Sequence, residues 1–303
     1  MIFKLENSIN QQIKLSHNFD VELYIKREDQ IHPFISGNKY RKLKYNLIEA
    51  KKLGYTTLLT FGGAFSNHIA AVSFAGQEFG FKTIGIIRGD ELVDKVNDNA
   101  TLKFAKSNGM KFKFVSRSDY REKTSEVFIE KLKYEFGEFY TVPEGGTNEL
   151  AIKGCEEILS ETDVVFDYVC CAVGTGGTIS GLINSSKPSQ QILGFPALKG
   201  AFLYNNISKF VTRNNWELIT DYHFGGYAKI NTELIDFINQ FKINQRIPLD
   251  PVYTGKLMFG VNKLIEKDFF KKGSKILAIH TGGLQGIAGM NERLKQKRLP
   301  LIQ

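Results

Sequence analysis

Three cysteines in 303 residues, Cys155, Cys170 and Cys171, are too few and wrongly spaced for a disulfide framework or a metal cluster. Their odd number fits a reducing compartment. No apolar run reaches membrane-span length, and residues 1–20 lack the apolar core of a signal peptide, so the expectation is a cytoplasmic protein with no membrane partner. Lys and Arg number 40 against 32 Asp and Glu, a net charge of +8, yet there is no basic block, zinc-finger spacing or aromatic-basic repeat. The basic excess therefore argues for anionic substrate or cofactor attraction and solubility, not for a nucleic-acid partner. Internal repeats, low-complexity segments and long linkers are also missing, which excludes a string of modules. What remains is a chain long enough for a large core, expected as two lobes of one enzyme-sized unit.

The stretch Ser36-Gly37-Asn38-Lys39-Tyr40-Arg41-Lys42 ends an extended run and opens a helix. Tyr40, Leu43, Leu47 and Ile48 have helical spacing, Gly54 supplies a stop, and Asn38 is the expected N-cap. Lys39 then falls in the first turn, where the positive end of the helix dipole disfavours an ammonium. That mismatch would depress its pKa, as a lysine that forms Schiff bases requires. Lys42 shares the face and is placed to hold a phosphate. The competing reading is a solvated basic helix start.

Around this motif, strands and helices alternate. Strands are expected at 21–26, 56–61, 83–88, 112–115, 139–142, 164–173 and 275–280. Helices are expected at 69–79, 98–108 and 121–136, after the loop 143–148 through Leu159, and beginning over Ile179 to Ile183, while 199–215 is hard to place. Alternation of this kind implies parallel sheets. Several strands end in glycine-hydroxyl turns: Gly62-Gly63 before Ser66-Asn67-His68, Gly174-Thr175-Gly176-Gly177-Thr178, and Thr281-Gly282-Gly283. Such turns before helices leave backbone N–H groups free for an anion. The turn at 174–178 is neither a Walker loop nor a dinucleotide fingerprint, and a tight structural turn is its plain alternative. Tyr227 and Tyr253 each sit in a glycine-bearing loop, where a core tyrosine with a satisfied hydroxyl is the competing reading.

Taken together, Ile25-Lys26-Arg27-Glu28-Asp29, 37–43, Gly62-Gly63 with Ser66-Asn67-His68, Asp250-Pro251-Val252-Tyr253-Thr254-Gly255-Lys256 and His280-Thr281-Gly282-Gly283 resemble the family of 1-aminocyclopropane-1-carboxylate (ACC) deaminase and D-cysteine desulfhydrase. These are pyridoxal-phosphate enzymes of the tryptophan-synthase β-type fold, fold type II. The resemblance implies a two-lobed α/β fold, with residues 48–140 as a smaller inserted lobe and 1–47 plus 141–303 as the cofactor-binding lobe. It makes Lys39 the Schiff-base lysine and Lys42 a phosphate ligand, with Gly174, Thr175, Gly176, Gly177 and Thr178 around the 5′-phosphate. Asn67 would meet the phenolic oxygen, Thr281 the pyridine nitrogen, and Ser66, Asn67 and His68 the substrate carboxylate. Tyr227 and Tyr253 would flank a small amino-acid substrate and join Lys39 and Ser66 in catalysis. No metal is implied, and a homodimer is.

His68, Thr254 and Thr281 stand where ACC deaminases typically carry Gln, Glu and Leu, which is closer to the desulfhydrase pattern. A threonine at the pyridine nitrogen gives a milder electron sink, favouring β-elimination. The expected reaction is therefore loss of sulfide from D-cysteine, giving pyruvate and ammonia. The alternatives are ACC deamination to 2-oxobutyrate and ammonia, and a catalytically silent homologue that keeps the cofactor.

Overall fold

The computed structural model describes all residues except 1, 2, 16, 18, 36 and 201, so Ser36 of the lysine motif lies outside the described residues. The chain opens with β1 (Asn10–Ile13), β2 (Val21–Lys26) and α1 (Asn38–Lys52). It then alternates through β3 (Thr57–Gly62), α2 (Asn67–Phe79), β4 (Lys82–Arg88), α3 (Ala100–Ser107), β5 (Lys111–Val115), α4 (Glu126–Phe136) and β6 (Tyr140–Val142). Helix α5 (Glu149–Glu156) leads to β7 (Tyr168–Val173), α6 (Gly177–Ser185), β8 (Gln191–Pro196), α7 (Phe202–Ser208) and β9 (Trp216–Leu218). Two helices, α8 (Thr232–Gln245) and α9 (Thr254–Glu266), precede β10 (Ser274–Ile279) and α10 (Gly286–Gln296).

Two sheets result, and they form a two-lobed α/β fold. One has the order β5-β4-β3-β6 and is parallel throughout; the other has the order β1-β2-β10-β7-β8-β9 and is parallel except for the β1–β2 pair. Helices cover both faces, so the strands read as continuous apolar runs. Period-two alternation sorts their side chains. Cys170 and Ala172 pack with Leu234, Ile238 and Leu257, whereas Val169, Cys171 and Val173 pack with Ile179, Leu182 and Ile183. In the smaller sheet, Leu58 and Ile87 face Leu43 and Val72, while Leu59, Phe61 and Ile86 face Leu132. Each such fully buried aliphatic side chain contributes about 1.5–3 kcal/mol. Cys170 and Cys171 point to opposite faces of one sheet, and all three cysteines are buried and free.

Some element limits differ from expectation. The apolar run at 164–173 is not one strand: Val164 and Val165 are exposed in a 3-10 turn, Glu161–Val165, and pairing starts at Tyr168. The cause is a capping box between Ser160 and Asp163, whose buried carboxylate also meets Lys26 Nζ at 2.9 Å. The helix expected over 121–136 begins only at Glu126, because the Ser125 hydroxyl accepts from Phe128 N and sets the start there. Asn99, Asn148 and Asn231 cap α3, α5 and α8 in the same way. Residues 199–215 contain α7, and α8, α9 and α10 had no sequence assignment.

Candidate active site

The carboxyl ends of β3, β7 and β10 carry the glycine-hydroxyl turns to one place, as expected where ligands bind parallel α/β sheets. A cavity of about 750 Å³ opens there. Lys39, Lys42, Ser66, Asn67, His68, Gly174, Thr175, Gly176, Thr178, Tyr227, Tyr253 and Thr281 all line it. Gly177 does not; it is buried beneath the loop.

The start of α1 differs from expectation. Gly37, at φ +60°, precedes the helix and Asn38 is its first residue, so Asn38 is not the cap. Its amide instead donates to Thr178 Oγ1 at 2.8 Å and its oxygen accepts from Lys39 Nζ at 3.1 Å. Gly37 is required because a Cβ there would lie 2.1 Å from the Thr281 carbonyl oxygen. Gly37→Ala should cost at least about 2 kcal/mol, read as a lower urea midpoint, because it adds left-handed strain to a backbone clash. Ile48, expected on the buried face, is exposed, while Arg41, Lys42 and Asn46 are buried with Leu43 and Leu47. Helix α1 packs on α5, and its buried polar face meets Glu28 through Arg41 and Asn148 through Asn46.

Burial lowers the Lys39 pKa to about 7, with the Lys42 charge as the second cause and Asp250 among the opposing influences. Desolvation, not the helix dipole alone, accounts for the depressed value. Lys42 is also lowered by burial, and its ammonium donates to Gly145 O at 2.9 Å and Thr147 Oγ1 at 3.2 Å, with Thr175 Oγ1 at 3.5 Å. The Thr147 and Thr175 hydroxyls are 2.6 Å apart. A Cβ on Gly177 would stand 2.8 Å from Thr147 Oγ1 and 3.2 Å from Lys42 Nζ, so only glycine leaves this cup open. Backbone N–H groups at the head of α6, one ammonium and two hydroxyls form a donor set suited to a phosphate dianion. Cys155 and Cys171 lie within electrostatic reach of both lysines, but burial pushes them up to about 11 and about 12, so they stay thiols.

The two tyrosines also line the cavity, Tyr253 lying against Gly174. Their rings are 6.3 Å apart at 64°. Burial raises the pKa of Tyr253 well above the usual phenol value and raises Tyr227 as well, so both hydroxyls keep their protons. Buried Asp250 anchors Tyr253 by accepting from the backbone N–H groups of Val252, Tyr253 and Thr254 at 2.8–2.9 Å. Thr254 Oγ1 also donates to Asp250 at 2.7 Å and is fully buried, so this position is structural and does not line the cavity.

Ser66 caps α2, its Oγ accepting from Ile69 N at 3.3 Å. His68 is buried with Nε2 2.8 Å from Thr60 Oγ1, which donates its own proton to Val142 O. Thr60 must therefore accept from His68, placing the imidazole proton on Nε2. Burial, then the charges of Lys39 and Lys42, hold the His68 pKa well below 6.5. Among the described residues Nδ1 has no hydrogen-bond partner. The neutral ring thus has no donor left for a carboxylate, whereas the backbone N–H groups at the head of α2 remain suited to one.

Sequence reasoning gave no role to Gly145 and Thr147, although the 143–148 loop has the same strand, glycine, hydroxyl order as the turns it did single out. Arg88, Lys123 and Glu144 at the mouth were missed too, having no motif. Lys123 pairs with Glu144 at 3.3 Å, and the Arg88 guanidinium lies 5.6 Å from the Tyr120 ring centre.

Residues 9–282 match the family described as pyridoxal-phosphate dependent enzyme. The chain belongs to this family. Within the pyridoxal-phosphate dependent enzymes it is 33% identical to a Thermotoga maritima protein whose name provisionally assigns it as a 1-aminocyclopropane-1-carboxylate deaminase, over 93% of this chain and 95% of that one. It is 29% identical to the Arabidopsis thaliana bifunctional D-cysteine desulfhydrase/1-aminocyclopropane-1-carboxylate deaminase, covering 88% of this chain and 73% of that one. A crystal structure of an ACC deaminase homologue superimposes with a TM-score of 0.80 at 29% identity, covering 96% and 93% of the two chains. The chain is thus a pyridoxal-phosphate dependent enzyme of fold type II, closely related to ACC deaminase and D-cysteine desulfhydrase homologues. The cavity fits that cofactor, since the phosphate cup and a low-pKa amine open into one space. Among the described residues no helix is long and apolar enough to cross a membrane.

Proposed function

We propose that the chain deaminates a small cyclic amino acid, converting ACC and water to 2-oxobutyrate and ammonia. In this reading Lys39 would carry pyridoxal phosphate, the cup of residues 174–178 with Lys42 and Thr147 would hold its phosphate, and Asn67 and Thr281 would bind its phenolic oxygen and ring nitrogen. The cofactor supplies an electron sink for bonds broken at the amino-acid Cα. The protein supplies orientation and protons. Ser66 Oγ–H and the N–H groups at the head of α2 bind the substrate carboxylate, in place of the His68 imidazole. With a pKa of about 7, Lys39 Nζ is able to give or take a proton near neutrality.

The observation that carries the substrate reading is the pair of phenols that the cavity wall brings together, their ring centres 6.3 Å apart. ACC has no α-hydrogen for a base to remove, so opening its ring calls for an acid at the ring carbons, and Tyr253 with Tyr227 is that acid. The names of the most similar relatives point the same way. Thr281 on the cavity wall supports a second reading, β-elimination from D-cysteine to pyruvate, ammonia and sulfide. The purified enzyme given ACC, D-cysteine and L-cysteine separately decides between them by mass of the keto acid. 2-Oxobutyrate from ACC is expected; pyruvate and sulfide from D-cysteine alone would replace the first reading by the second. Residues 48–140 are taken as the smaller lobe, set between 1–47 and 141–303, and a homodimer as the assembled form.

A depressed lysine also predicts a pH signature. A protonated amine is unreactive, so acylation of Lys39 in cofactor-free protein should rise through pH about 7, well below the range of the surface lysines. Peptide mapping by mass spectrometry reads it. Added pyridoxal phosphate should suppress this labelling, and a midpoint near 10 would contradict the burial argument.

A further inference from the structure

The segment that carries Tyr227 has an unusual backbone. Phe224, Gly225, Gly226 and Ala228 have positive φ, of 54°, 87°, 117° and 52°. For residues with a Cβ, such as Phe and Ala, this conformation costs about 1 kcal/mol or more each and persists only where the surroundings impose it. Bonds within the segment are few: Gly226 N to His223 O at 3.0 Å, Lys229 N to Gly226 O at 3.2 Å and Gly225 N to His223 Nδ1 at 2.9 Å.

The clamp from outside is Lys256. It is 2% exposed, and its ammonium donates to the carbonyls of His223 and Gly226 at 2.8 Å each. Among the described residues no carboxylate lies within ion-pair distance of it. Burial lowers its pKa to about 8, opposed by Asp250, so it is mostly charged at neutral pH. Burying a lysine without a counter-ion is costly, and those two carbonyls are what offset the cost. Lys256 lies one turn along α9 from Tyr253, so the same helix presents one tyrosine at its head and grips the loop bearing the other.

We propose that Lys256 is a positioning residue, holding the carbonyls of His223 and Gly226 so that Tyr227 stays set against Tyr253. The inference rests on the reading above that Tyr227 acts on the substrate. It explains why this lysine, in the Asp250 to Lys256 motif, is buried away from the cavity it serves.

Lys256→Met keeps the length of the side chain and removes its donors. Expected is a fall in kcat of about tenfold or more with a smaller change in KM, and partial recovery in Lys256→Arg. Hydrogen exchange should quicken at the Gly226 and Lys229 amides while residues 257–261 of α9 stay protected, which separates release of the loop from loss of the fold. The deciding readout is the cycle with Tyr227→Phe, itself expected to lower kcat about 100-fold. The double variant should lie within about twofold of Tyr227→Phe alone, because a tyrosine that is gone no longer needs to be held. Multiplication of the two losses would overturn the inference while leaving the tyrosine reading intact. An undiminished Tyr227→Phe would overturn both. Lys256→Gln carries the same cycle where Lys256→Met does not yield folded protein.

Discussion

Lys39→Ala should remove the visible absorption band of the lysine-linked cofactor and lower turnover by at least about 10⁴-fold, with little change in stability. The stability expectation follows from contacts: among the described residues the amine makes one hydrogen bond, to the Asn38 side chain, at 3.1 Å. The catalytic expectation follows from position. Lys39 is a lysine on the cavity wall whose environment brings its pKa to about 7, while the Lys42 ammonium beside it is occupied by Gly145 and Thr147. Neither the cysteines nor the tyrosines near it can replace it, since both cysteines are thiols and both tyrosines keep their protons. Absorption spectra of the variant, taken with thermal unfolding, separate the two effects. A band that survives in Lys39→Ala would sink the assignment of every other cavity residue as well.

The largest effect on stability is expected away from the cavity, at Glu28. Its carboxylate accepts from Arg41 Nε and an Arg41 terminal nitrogen, both at 2.8 Å, and from Ser8, with Glu28 fully buried and Arg41 5% exposed. Among the described residues Glu28→Ala leaves the buried guanidinium only Glu157 at 3.7 Å, and it should cost about 3–5 kcal/mol in urea unfolding at pH 7. Glu28→Gln retains an acceptor and should cost less. Arg41 lies between Lys39 and Lys42 in α1, so the alanine variant should also bind pyridoxal phosphate more weakly. A loss below about 1 kcal/mol would show that Glu157 and solvent replace Glu28, and that this pair does not fix the helix.

Much of the site was legible because its chemistry is local. Lys39 and Lys42 are read from spacing within one helix, and the turns at 62–63, 174–178 and 281–283 from glycine and hydroxyl residues that follow apolar strands. What sequence reasoning missed lies far along the chain. Lys42 meets Gly145 across 103 positions and Lys256 meets Gly226 across 30, and nothing in either segment names its partner. His68 shows the other limit. The resemblance marked it as a carboxylate ligand, but its Nε2 proton goes to Thr60, whose own proton goes to Val142, and the neutral ring has no donor left for that task. Thr254 is similar, being committed to Asp250 instead of the cavity.

Most strands, the helices before 183, the reactive groups at the strand ends and the family they resemble were legible locally, since propensity, capping and glycine turns act over a few residues. Which groups meet, and in what protonation state, came from long-range packing. Desolvation depends on how much protein surrounds an atom, and that density comes from packing α1 against α5, α2 and α6. The same residue type is therefore an exposed side chain beside Glu49 at Lys52 and, thirteen residues earlier in the same helix, an amine with a pKa of about 7 at Lys39.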